Sequence, residues 1–138
     1  MSAGAGAAPP GVRSDAMSGD DGLAETGPPQ VSDRFLVVQT TTDSRAEAVE
    51  LARTAVEARL AACAQVSGPV ASTFWWEGAV ERAEEWILAF KLPAGGYQAL
   101  ADFLTRSHSY DEPEIVATPI VAGSDGFLSW IEEETRRS

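Results

Sequence analysis

One histidine, one cysteine and a strand carrying a charge near each end are the residues of this chain with the types best suited to chemistry. His108 sits in the stretch SHSYDEP, with Asp111, Glu112 and Glu114 close behind it. Imidazole beside carboxylates suits zinc or copper, so His108 is the candidate metal ligand. One chain offers at most this histidine and a neighbouring carboxylate or two, short of a closed tetrahedral set; a neighbouring subunit can bring more. The structural alternative is a loop histidine near the C-terminus of a helix, where positive charge is favoured. Cys63 is the only thiol. A nucleophilic thiolate needs a partner base, and nothing in the sequence places His108 beside it, so a small, buried cysteine is the plainer reading. Glu85 and Lys91 lie six positions apart on one face of a strand, roughly 20 Å at about 3.3 Å per residue. They cannot pair with each other, but each can pair across a subunit boundary or line a cleft. The run Glu132, Glu133, Glu134 reads as a solvated helix face.

These residues have to be positioned by a recognisable series of elements. RFLVVQTT, residues 34–41, is apolar on both faces, as in a central strand. Ser44 with Glu47 three residues later forms a capping box ahead of a helix. Val49, Ala52, Val56 and Leu60 recur at helical spacing, which predicts a helix to about Ala62 with these four inward. Residues 63–77 form an extended edge segment broken at Gly68-Pro69. Gly78 to Glu84 reads as a charged connection. Residues 85–92 alternate, with Trp86, Leu88, Phe90 and Leu92 on one face and Glu85, Ile87, Ala89 and Lys91 on the other. Tyr97, Leu100, Ala101 and Leu104 mark a second helix ending near Arg106. Residues 114–122 form a fourth strand, edge-like because of Pro119, and Phe127, Trp130 and Ile131 sit on a final short helix.

The order β-α-β-β-α-β plus a terminal helix, with right-handed crossovers, predicts an α+β, ferredoxin-like sandwich. Its antiparallel sheet has strand order 4-1-3-2, with two helices on one face. That leaves the other face open while residues on both faces of the third strand are apolar. With Phe74, Trp75 and Trp76 on the second strand, this predicts a homo-oligomer joined face to face or edge to edge.

Residues 1–33 are rich in glycine and proline, lack apolar periodicity and read as a disordered tail. They have neither the basic start nor the apolar run of a secretory signal, and Met17 is an alternative start. Residues 34–138 form one domain. Of the net charge of −11, −7 falls on this domain, which argues against nucleic acid and anionic membrane as partners. No run approaches the roughly 20 apolar residues of a membrane span. With one cysteine and therefore no intrachain disulfide, the expected setting is the cytoplasm.

Five blocks occur together in order: LAACAQV (60–66), WWEG (75–78), EEWILAFK (84–91), HSYDEPEI (108–115) and FLSWI (127–131). Across about residues 35–132 the chain resembles the CutA family, named for divalent-cation tolerance. The resemblance implies a trimer of ferredoxin-like subunits, similar in shape to PII signalling proteins, with clefts between subunits. It implies a role in tolerance of divalent metals such as copper and no established catalytic reaction. It places Trp76, Glu77, Glu85, Lys91, Tyr110 and Glu114 among the cleft residues, and Cys63 is carried with them as a further candidate. Some family members have a copper-linked cysteine where this chain has Gln39, and a second histidine where it has Ser107. The expectation is therefore a non-enzymatic trimer of the metal response that binds a metal ion, copper among the candidates, or a small ligand at its clefts. The alternative is a PII-like sensor binding an anion or nucleotide through Lys91, although no Gly-rich phosphate loop is present.

Overall fold

The structure, a computed structural model, describes residues 34–137. The segment expected to be a tail, residues 1–33, lies outside the described residues. The elements are β1 (Phe35–Thr42), α1 (Arg45–Glu57), β2 (Cys63–Trp76), β3 (Ala79–Pro93), a 3-10 turn (Ala94–Gly96), α2 (Tyr97–Ser107), β4 (Val116–Pro119) and α3 (Asp125–Glu134). The four strands form one sheet in the order β2-β3-β1-β4, and every pairing is antiparallel. This is the 4-1-3-2 order read from the other edge, and β2 with Pro69 and β4 with Pro119 are at the edges as expected.

The core lies between the sheet and helices α1 and α2. Val38, Leu88, Phe90 and Leu92 from the strands are fully buried against Ala48, Leu51 and Ala55 of α1 and Leu100, Phe103 and Leu104 of α2. Trp86 packs at the margin of the same cluster. Trp86 therefore belongs to the helix-covered face, and the uncovered face is that of Ile87 and Ala89. A smaller cluster joins Phe35, Ala62 and Ile131, with Leu128 and Ile120 packed around it. Phe35 alternates away from Val38, so α3 covers one end of the opposite sheet face.

Four boundaries or faces differ from the sequence expectation. The inward face of α1 is Ala48, Leu51 and Ala55, with Val49 at 42% exposure and Val56 half-buried. Apolar spacing marked a stripe about one position off, because alanines let the helix sit close to the sheet while the larger valines stay at the rim. Secondly, α1 stops at Glu57 rather than Ala62. Arg59 adopts φ 65°, its N–H donates to Val56 O at 3.0 Å, and Leu60 N–H donates to Ala55 O at 2.9 Å. This is a Schellman cap with arginine in the position glycine normally takes. The Arg59 guanidinium is held by the Glu134 carbonyl at 3.0 Å and carboxylate at 2.7 Å, so α3, far along the chain, secures the end of α1. Thirdly, residues 79–84 are strand, not connection. Glu77 and Gly78, with φ 51° and 84°, make a two-residue primed turn that suits the twist of a hairpin, and β3 pairs with β2 out to Ala79. Fourthly, β4 has only four residues, ending at Pro119, which has no N–H to donate.

Candidate functional site

Gly68 and Pro69 interrupt the β2–β3 register between Ser67 and Val70. Gly68 has φ 144°, and a Cβ there would stand 2.8 Å from Trp86 Cδ1 and 3.0 Å from Glu85 O. Only glycine allows β2 to approach Trp86 and Glu85 this closely.

Glu85 is buried at 9% exposure. Its Oε2 accepts the Tyr110 hydroxyl proton at 2.7 Å. Tyr110 is 3% exposed. Burial, and then the Glu85 carboxylate, push its phenol well above the ordinary tyrosine value; Asp43 and Glu47 add to this. A phenol that holds its proton so firmly is a fixed donor to Glu85.

His108 caps α2, its N–H donating to Leu104 O at 2.9 Å. Its side chain is wholly buried. Nε2 lies 2.7 Å from Thr41 O. A carbonyl only accepts, so Nε2 carries the proton and Nδ1 accepts from Tyr110 N–H at 3.0 Å. The imidazole also lies against the Tyr110 ring, centroids 4.8 Å apart at 43°. Both nitrogens are thus engaged within the chain, leaving no lone pair directed at a metal. The structural alternative, a loop histidine at the C-terminus of a helix, has the position right, since His108 is the C-cap of α2, but the imidazole is turned inward.

Glu47 is the site residue that capping logic only half found. Ser44 Oγ accepts from Glu47 N–H at 3.1 Å, as a capping box requires. The Glu47 carboxylate does not return to Ser44. Its Oε2 accepts from Ser109 N–H at 2.9 Å and its Oε1 from Ser109 Oγ at 2.8 Å, and Oε2 stands 3.8 Å from His108 Nδ1. Only the position of Glu47 in the capping box pointed to it; its distal partner was invisible in the sequence.

The other candidates lie elsewhere on the sheet. Lys91 Nζ donates to Gln65 Oε1 at 2.9 Å, and Cys63 is the register partner of Lys91, half-buried and with a free thiol. Gln39 Nε2 donates to Glu114 Oε2 at 3.2 Å. Trp76 and Glu77 are at the hairpin turn, and Trp76 is paired with Ala79, roughly 20 Å along the strand from Glu85. A single chain therefore unites His108, Tyr110 and Glu85, places Lys91 with Cys63, and leaves Trp76 and Glu77 remote. Among the described residues no three His, Cys, Asp or Glu side chains group so as to hold a metal ion.

The model of the CutA1 divalent ion tolerance proteins matches residues 36–134. The chain belongs to this family. A divalent-cation tolerance protein CutA of Archaeoglobus fulgidus is 38% identical over 96 residues, covering 70% of this chain and 93% of the relative. The chloroplastic CutA of Arabidopsis thaliana is 35% identical over 101 residues, covering 73% of this chain and 56% of the relative. The chain thus spans just over half the length of the plant relatives it matches. The crystal structure of CutA1 from Oryza sativa superposes with a TM-score of 0.74 at 31% identity, covering 79% of this chain and all of that one. The CutA fold is thereby shared.

Proposed function

We propose that the chain is a homotrimeric, non-enzymatic CutA-type protein of the divalent-metal response whose ligand sites are clefts between subunits. The observation that carries this is the uncovered sheet face. Val37, Gln39, Thr41, Ile87 and Ala89 share it by register and alternation and are only half-buried in one chain. Beyond it, the hairpin end leaves Trp75 at 65% and Val80 at 55% exposure. Apolar surface of this kind marks an interface. A second chain over it brings a hairpin turn with Trp76 and Glu77 toward another subunit's Glu85, Tyr110 and Glu114, which one chain cannot do. Binding of copper or another divalent ion is assigned to these clefts, where the carboxylates favour a cation; among the described residues of one chain no three His, Cys, Asp or Glu side chains group for it. The lone free thiol supports a cytoplasmic setting, and among the described residues no helix is long and apolar enough to cross a membrane.

Lys91 favours a second reading, a PII-like sensor of an anion or nucleotide, because among the described residues its ammonium is tied only to the neutral Gln65 amide. Calorimetric titration with copper, zinc and common nucleotides separates the two. Divalent-ion heat that is lost in Glu114→Gln supports the first. Nucleotide heat lost in Lys91→Ala supports the second, and no heat with any of them contradicts the cleft assignment.

A further inference from the structure

Tyr110 reaches Glu85 from an irregular segment between α2 and β4, in which Glu112 alone is in a β-bridge. Three successive backbone N–H groups of that segment are nevertheless all bonded, each to a different kind of partner. His108 N–H donates to the α2 carbonyl of Leu104, Ser109 N–H to the Glu47 carboxylate on α1, and Tyr110 N–H to His108 Nδ1. The His108 ring is in turn tied to β1 through Thr41 O. We propose that His108 and Glu47 are positioning residues that set the Tyr110 phenol on Glu85, with His108 acting as an internal turn former rather than as a metal ligand.

A side-chain acceptor bonded to the N–H two residues on is the arrangement of an Asx turn. Nδ1 of His108 stands where an asparagine Oδ1 would stand in such a turn. Histidine does more than asparagine here, because its second nitrogen also reaches Thr41 O and fastens the turn to the sheet. Glu47 fixes the intervening residue through both carboxylate oxygens. The groups facing the imidazole are then accounted for: Thr41 O from β1, the Glu47 carboxylate from α1, and the Tyr110 ring from its own segment, with Glu85 of β3 behind it. Each bond lies on the path from a rigid element to Tyr110.

The proposal rests on reading Glu85 and Tyr110 as cleft residues, but its test does not use a ligand. Proton NMR on the full chain reads exchange of the Tyr110 hydroxyl with water; Tyr110→Phe removes that signal and so identifies it against Tyr97, the only other tyrosine. His108→Asn keeps an acceptor for Tyr110 N–H and should retain slow exchange. His108→Gln keeps a donor for Thr41 O but not the turn, and should speed exchange by about tenfold or more, the size expected for loss of one hydrogen bond, with the assembly mass unchanged. Glu47→Ala should do the same. Equal exchange in the Asn and Gln variants, or wild-type exchange in the Gln variant, overturns the proposal. A null calorimetric titration beside the predicted exchange pattern contradicts the cleft reading alone.

Discussion

Two residues in the site make opposite demands on their surroundings, and each gives a measurable consequence. Gly68 has no room for a side chain: its Cβ would meet Trp86 and the Glu85 carbonyl, in a backbone conformation that L residues avoid. Gly68→Ala should destabilise the protein by about 1–3 kcal/mol in denaturant unfolding, whereas Gly95→Ala, with open space around it, should change little. Tyr110 has the converse role of satisfying a buried group. Tyr110→Phe leaves the Glu85 carboxylate without its donor, at a cost of about 1–3 kcal/mol in the same measurement. Burial and the carboxylate raise the Tyr110 phenol above its ordinary value, so the folded protein holds this proton more tightly than the unfolded chain. The stabilisation is complete below about pH 10, where unfolded tyrosines are still protonated, and it is lost as pH rises further. Wild-type stability should therefore decline in alkali more steeply than that of Tyr110→Phe. An identical alkaline decline in both would show that Tyr110 is not the group responsible.

Among the elements, β1, α2 and the central part of β3 were legible in the sequence because local pattern and tertiary burial agree there. Leu88, Phe90 and Leu92 alternate, and all three are fully buried. The errors fall where a distant partner decides. The cap at Arg59 that ends α1 is formed by the backbone with the side chain tied to the distant Glu134, and no breaker residue announces that stop. The buried face of α1 is hard to read from spacing because Ala48 and Ala55 carry little hydrophobic signal yet are fully buried in the core. Ala55→Leu should thus destabilise by about 1–3 kcal/mol through overpacking, while Val49→Ala should stay within about 0.5 kcal/mol; equal effects would restore the face marked by Val49. The site was legible to the same degree. Residue types and family blocks pointed to His108, Tyr110 and Glu85, but the hydrogen bonds that turn His108 inward depend on Thr41 and on chain geometry that spacing does not contain. Glu47, 62 positions from Ser109, had no local cue for its distal role.

For the whole molecule, the helices account for one sheet face and α3 for one end of the other. The middle of that second face, the exposed Trp75 and Val80, and the separation of Trp76 and Glu77 from Glu85 all fit a chain built to meet copies of itself. Both the metal and the anion readings of the cleft depend on that assembly. Sedimentation equilibrium at micromolar concentration tests it most directly, with Ile87→Asp placing a charge in the middle of the uncovered face. The account predicts a mass near 44 kDa for the wild type, three times the 14.6 kDa chain, falling toward that of one folded chain in Ile87→Asp. A wild-type mass of 14.6 kDa would contradict it.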